Sequence, residues 1–260
     1  MQDQLKVILI QTETIWKDIS KNLSNIQQKI NQTSEETDLI ILPEMFSTGF
    51  IMEPKDIAET MDGKSITWMK STALLRNCAI TGSLIIKENN NYFNRLVFIE
   101  ASGAIQFYDK KHLFSHAGED AIYTAGTKKK IIAYKGWKIA AFVCYDLRFP
   151  VWSRNTEDYD VALYVANWPK PRINAWDTLL KARAIENICY TIGVNRVGKD
   201  GNEMEYIGHS QIINPQGNAI KKSTVAAEDS ISTILYKAEI LTNRTNFKFL
   251  DDQDKFTIQN

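Results

Sequence analysis

The chain carries no excess of charge of either sign. Its 31 Lys and Arg match 31 Asp and Glu over 260 residues, which removes the basic footprint expected of nucleic-acid or anionic-membrane partners. Cysteine is scarce as well. Cys78, Cys144 and Cys189 are odd in number and widely spaced, so they make no disulfide framework and suit a reducing compartment. Apolar runs stop well short of the roughly 18 residues of a membrane span. Met1-Gln2-Asp3-Gln4-Leu5-Lys6 lacks the charged-then-apolar layout of a secretory signal. A cytoplasmic protein with no membrane or nucleic-acid partner is expected. Fixed-period repeats, low-complexity tracts and linkers are also missing, so residues 1–260 are expected to form one domain, with a short helix or tail from about Lys237.

What is present is an alternation of apolar strands and amphipathic helices. Leu5 to Ile10 and Asp38 to Leu42 are apolar on both faces, and Pro43 closes the second. Between them Trp16, Ile19, Leu23, Ile26 and Ile30 trace one helical face. Met45 to Asp62 is irregular, and Ser65 to Asn77 is a second helix. Ala79–Ile86, Tyr92–Glu100 and Ala104–Tyr108 follow as a meander, divided by Asn89-Asn90-Asn91 and Ser102-Gly103. His112 to Thr127 has no period and is expected to be a long loop near a sheet edge. Ile131–Tyr134 and Lys138–Val143 form a hairpin. Strands are then expected at Asp160–Ala166, Cys189–Val194, His209–Ile213 and Ser230–Leu235, with a helix around Trp176 to Asn187 and a polar turn at Gly198–Gly201. The pattern predicts an α/β fold with mixed sheets between helical layers.

Three of these strands end on reactive side chains. Glu44 follows Asp38–Leu42 across Pro43, Lys110 follows Ala104–Tyr108, and Cys144 follows Lys138–Val143. Singly, Glu44 and Lys110 are ordinary solvated residues and Cys144 an ordinary core cysteine; their common placement favours a shared site. Ligands collect at the carboxyl ends of strands in α/β sheets. A helix opening at Pro150 would also lower the pKa of a thiol just before it. A cysteine attacking a carboxamide or nitrile carbon needs a proton acceptor and a stabiliser for the developing negative charge. A buried glutamate can shuttle the proton. A lysine and the backbone N–H of Tyr145 can hold the oxyanion. His112 is a rival base, but Leu113 and Phe114 beside it favour packing. Cys78 and Cys189 suit small core positions. No cysteine near Cys144 in sequence would resolve a sulfenic acid, which disfavours a redox sensor.

The sequence resembles the nitrilase superfamily of carbon–nitrogen hydrolases. The resemblance rests on Leu42-Pro43-Glu44, on Tyr108 to Phe114, and on Cys144 to Pro150. It continues through Asn167-Trp168-Pro169, Lys181 to Asn187, Val194 to Gly198 and Gly208-His209-Ser210, and so covers about Leu5 to Leu235. It implies a four-layer αββα sandwich, a homodimer or higher homo-oligomer, and a Glu-Lys-Cys triad of Glu44, Lys110 and Cys144. The Lys-x-His-Leu pattern puts the lysine at Lys110 and not at Lys111. A second glutamate falls on Glu119, with Asp120 as a solvated neighbour. No metal and no cofactor are implied. Met45-Phe46-Ser47-Thr48-Gly49-Phe50 and the run from Cys144 to Trp152 are similar to the omega-amidase group. That group hydrolyses 2-oxoglutaramate or 2-oxosuccinamate through a thioester. His116 stands where that group would carry methionine. Other branches, acting on N-carbamoyl compounds, aliphatic amides or nitriles, are the enzymatic alternatives, and a catalytically silent binding protein is the non-enzymatic one. For an omega-amide, Arg148 or Arg172 would grip the remote carboxylate, unless Arg148 pairs with Asp146 or Glu44. Phe46, Phe114 and Trp168 would form apolar walls.

Overall fold

A computed structural model of the chain describes residues 2–33 and 36–258. Met1, Gln259 and Asn260, the extreme ends of the expected domain, lie outside the described residues. In chain order the first half contains β1 (Gln4–Gln11), α1 (Ile19–Asn31), β2 (Leu39–Ile41), α2 (Lys64–Arg76), β3 (Ala79–Glu88), β4 (Asn91–Ile99) and β5 (Ile105–Asp109). The one-turn helix α3 (Glu119–Ile122), β6 (Ile131–Tyr134), β7 (Trp137–Val143), the one-turn helix α4 (Pro150–Ser153) and β8 (Val161–Ala166) follow. The remainder is α5 (Ile173–Asn187), β9 (Tyr190–Asn195), β10 (Val197–Lys199), β11 (Glu205–Ile207), β12 (Gln211–Ile213), β13 (Ala219–Lys222), β14 (Asp229–Tyr236) and α6 (Lys237–Asn246).

The strands form two six-stranded mixed sheets, ordered β14-β1-β2-β3-β4-β5 and β13-β12-β9-β8-β7-β6, with β10 and β11 as a separate hairpin. Period-two alternation explains the layering. In β1, Val7 and Leu9 enter the core between the sheets, with Phe98, Phe142 and Val165. Ile8 and Ile10 face the other way, onto Leu23, Ile26 and Ile30 of α1 and Met69 of α2. Each fully buried aliphatic side chain there contributes about 1.5–3 kcal/mol. Asp18 caps α1 by accepting from the Lys21 N–H. The second sheet is covered by α5, whose Trp176 and Leu180 lie so close over Gly193 that a Cβ there would come within 2.5 Å of Leu180. The product is the αββα sandwich.

Strands β1, β2 and β3 run parallel, as do β7, β8 and β9. Because β4 reverses the chain and β5 reverses it again, β5 returns to the direction of β2. The carboxyl ends of β2, β5, β7 and β8 are followed by Glu44, Lys110, Cys144 and Asn167.

Several local expectations change. The loop after His112 contains a 3-10 turn at Ser115–Ala117 and then α3, which starts at Glu119. The polar turn at Gly198–Gly201 belongs to the β10–β11 hairpin, and β13 adds an edge strand of mostly exposed residues. Such short, polar strands carry too little apolar alternation to register as strands. At Lys237 the helix alternative is the one realised, and the helix is docked: Ile240 and Asn243 are buried, and Arg244 donates to the Ile188 and Tyr159 carbonyls.

Candidate active site

Cys144 sits where β7 stops. Val143 is extended, whereas Cys144 takes a left-handed φ of 44° and opens a 3-10 turn over Cys144–Arg148. Asp146 explains the sharpness of the turn. Its buried carboxylate accepts from the Val143 N–H at 3.0 Å, the His112 N–H at 3.0 Å and the Tyr108 hydroxyl at 2.8 Å. One carboxylate thus ties the cysteine turn to the lysine segment. His112 completes this brace. Its Nδ1 lies 2.8 Å from Asp146 and its ring stacks on Phe149 at 3.7 Å, so it is a strut and not a base facing the thiol.

Lys110 is fully enclosed between two carboxylates. Its Nζ donates to Glu44 Oε1 at 3.0 Å and to Glu119 Oε2 at 2.8 Å. Burial alone would lower the lysine pKa, but the charges of Glu119 and Glu44 outweigh it and hold the ammonium above its ordinary range. Burial raises the Glu119 pKa, with Lys110 opposing. The segment has no room to shift. Gly126 donates to the Lys110 carbonyl at 2.9 Å, and a Cβ on Gly126 would stand 2.0 Å from the Asp109 carbonyl oxygen. Lys111 points elsewhere, its Nζ 5.5 Å from the Trp152 ring. Asp120 is exposed.

Glu44 receives more donors than Lys110 alone. Asn167 gives its backbone N–H to Glu44 Oε2 at 2.8 Å and its side-chain amide to the Glu44 carbonyl at 2.8 Å. The thiol of Cys144 donates to the Asn167 carbonyl at 4.0 Å, close enough to Glu44 to feel its charge. The expectation of a depressed thiol pKa does not hold. Burial and then the negative charge of Glu44 push it well up, against Lys110. The physical reason is that only a 3-10 turn and the single helical turn of α4 follow the cysteine, too short for a substantial helix dipole. Cys144 therefore rests as a neutral thiol beside the Glu44 carboxylate. Burial pushes Cys78 up to about 11 and Cys189 up to about 12, and both are closed off from solvent.

A cavity of about 220 Å³ opens in front of Cys144, Glu44 and Lys110. Phe114 and Trp168 line it, as expected. Phe46 does not. It is buried among the helix-facing residues of the first sheet, over the space that Gly82 leaves empty and 6.0 Å from Trp68. Phe50 and Met52 take the wall position instead. Neither periodicity nor motif separates Phe46 from Phe50, because the chain turns irregularly through the left-handed Met45 just before Phe46 and the left-handed Gly49 just before Phe50. The far wall comes from the β10–β11 hairpin, through Asp200, Asn202, Met204 and Tyr206. Its hydrophilic sequence concealed that role.

Arg148 and Arg172 both line the cavity. The Arg148 guanidinium lies 4.9 Å from the Trp168 ring centre and that of Arg172 lies 5.1 Å from Phe114. Among the described residues neither forms an ion pair, so the alternative pairing of Arg148 with Asp146 or Glu44 is not realised. The Tyr145 N–H, second in its 3-10 turn, has no acceptor within that turn. Tyr145 too borders the cavity.

A strand-end thiol, a carboxylate and an enclosed lysine facing one small cavity suit a class: hydrolases that cleave carbon–nitrogen bonds. The chain belongs to the carbon–nitrogen hydrolase family, whose sequence pattern matches residues 6–240. It is 42% identical to "Omega-amidase YafV" of Escherichia coli strain K12 over 254 residues, 98% of each chain. With the "2-oxoglutaramate amidase" of Bacillus subtilis it shares 34% identity over 206 residues, covering 77% of this chain and 79% of that one. Among solved structures, a CN-hydrolase superfamily protein from Xanthomonas campestris with an arsenic adduct in its active site superimposes with a TM-score of 0.96. It is 39% identical, and the match covers 99% of this chain and 100% of that one.

Proposed function

We propose that this protein is an omega-amidase that converts 2-oxoglutaramate or 2-oxosuccinamate to the 2-oxo dicarboxylate and ammonia. The observation that carries this reading is the convergence of Cys144, Glu44 and Lys110 on a cavity that also holds two arginines with no ion pair among the described residues. Glu44 takes the thiol proton as sulfur attacks the amide carbon. The oxyanion is held by the Lys110 ammonium and the Tyr145 N–H. Collapse of the adduct breaks the carbon–nitrogen bond, Glu44 returns the proton to the leaving nitrogen, and ammonia departs from a Cys144 thioester. Glu44 then activates water, which displaces the sulfur and restores the thiol. Glu119 keeps Lys110 in place and accepts from the Phe114 N–H at 2.6 Å. The names of the Escherichia coli and Bacillus subtilis relatives support the substrate class.

The remote carboxylate is the discriminating feature. Arg148 or Arg172 would meet it with a planar fork, while Phe114 and Trp168 limit chain length. Ammonia release is expected from 2-oxoglutaramate and 2-oxosuccinamate, well ahead of propionamide, N-carbamoyl amino acids and nitriles. Methylating the remote carboxylate should cost about 10- to 100-fold in kcat/KM, the worth of a charged hydrogen bond. Arg148→Ala or Arg172→Ala should raise KM for the acid and leave the ester unaffected. Equal kcat/KM for acid and ester would move the protein to the aliphatic amidases.

The single-domain chain is also proposed to act in the cytoplasm as a homodimer. The exposed Val151, Ile185 and Leu241 on α4, α5 and α6 support this assembly. Light scattering at micromolar concentration should give twice the 29.7 kDa chain mass; a monomer would remove it.

A further inference from the structure

Two buried residues outside the proposed triad, Ser83 and Asn94, connect its carboxylate, Glu44, to the neighbouring Glu119. Both belong to the first sheet, Ser83 in β3 and Asn94 in β4, and both are inaccessible to solvent. The direction of each hydrogen bond between them is fixed by chemistry. The backbone N–H of Met45 donates to Ser83 Oγ at 2.9 Å. Ser83 therefore turns its own proton to Asn94 Oδ1, 2.8 Å away. That leaves the Asn94 amide nitrogen facing the carboxylates, and it can only donate. One of its protons goes to Glu44 Oε1 at 2.7 Å and the other to Glu119 Oε1 at 3.1 Å. The chain of donors begins at a main-chain N–H that cannot reverse and ends on both acids. Met45 reaches this geometry through a left-handed φ of 43°, directly after Glu44.

We propose that Asn94, oriented by Ser83, is a positioning residue that keeps Glu44 and Glu119 ionised and in register on either side of Lys110. The inference rests on the reading of Glu44 as the proton carrier. Two carboxylates this close to one lysine leave one negative charge unbalanced, and a proton shared between them would relieve it. Asn94 opposes that proton by offering each acid a donor. Lys110 does so by charge, and Asn167 from the far side of Glu44. The remaining titratable groups around the pair, Cys144 at Glu44 and Tyr123 near Glu119, are neutral as acids and supply no compensating cation. A protonated Glu44 could not accept the proton of Cys144, so the donor chain would set the lower pH limit of turnover.

The test is the pH dependence of kcat/KM, run with whichever amide the wild-type protein hydrolyses. A wild type inactive on omega-amides but active on another amide would refute the substrate assignment and leave this test intact. Asn94→Ala is expected to lower kcat/KM by about 10- to 100-fold and to move the acid limb upward by about one pH unit. Ser83→Ala retains the buried amide but releases its orientation, and should move the limb the same way by less. It also carries the test should Asn94→Ala fail to fold. A loss of rate with the acid limb unmoved in the folded variants would reduce Asn94 and Ser83 to packing, and unchanged rates would remove the role altogether.

Discussion

Cys144→Ala is expected to abolish amide turnover, by on the order of 10⁴-fold or more, with circular dichroism and melting temperature close to wild type. On the proposed mechanism the substitution removes the sulfur that would form the thioester, and among the described residues no other thiol lines the cavity. The other two thiols lie buried in the core, with burial holding Cys78 at about 11 and Cys189 at about 12. Alanine keeps the Cβ and adds no polar group, so the Asp146 brace on the Val143 and His112 N–H groups is untouched. Mass spectrometry of the wild-type enzyme quenched during turnover of a slow amide should find the acyl adduct on the peptide containing Cys144. An adduct on the Cys78 or Cys189 peptide, or substantial activity in Cys144→Ala, would overturn the nucleophile assignment.

Lys110→Ala should lower kcat by about 10²- to 10³-fold with a smaller change in KM, since an oxyanion donor acts mainly in the transition state. It should also weaken the fold. Removing the cation leaves Glu44 and Glu119 buried without their shared partner, a loss on the order of 3–5 kcal/mol. The sign of its pH dependence follows from linkage. Without Lys110 the pair binds a proton more tightly in the folded state than in the unfolded chain. The variant's deficit should therefore be smallest at acid pH and should grow as pH rises through and above the carboxylate range. Urea unfolding of both proteins across that range measures it. Lys111→Ala, whose ammonium faces Trp152, should leave kcat within a few-fold of wild type. The reverse ranking of the two lysines would mean that the segment is out of register by one residue.

The framework of this fold was legible because its strands are apolar on both faces and end abruptly. Leu39 to Ile41 and Ile139 to Val143 can hardly be anything but strands buried between layers. The convergence of Glu44, Lys110 and Cys144 could be read from the sequence because each interrupts such a run, and the place of Glu119 beside Lys110 because a resemblance supplied it. The donors around them were not legible. Asn94 is one asparagine inside a strand, and its role depends on Ser83, eleven residues away in the neighbouring strand. The hairpin carrying Tyr206 was hidden by its polarity. Phe46 was misplaced since an irregular chain with two left-handed residues has no period from which to tell inside from outside. The thiol pKa was misjudged in sign because a proline after the cysteine announces a helix without giving its length.

The left-handed backbone of Cys144 and Met45 sets evolutionary stability against function. Side chains other than glycine lose about 1–2 kcal/mol in that conformation, and both positions keep one. Glycine at 144 would relax the turn and remove the thiol, so Cys144→Gly should melt no lower than Cys144→Ala, which thermal denaturation can check. A selection for heat resistance with no requirement for turnover would then favour chains that have lost their chemistry at the strand end. Thermostable variants of this protein should be sought in the outer helices, where improving the fold asks nothing of the strained turn.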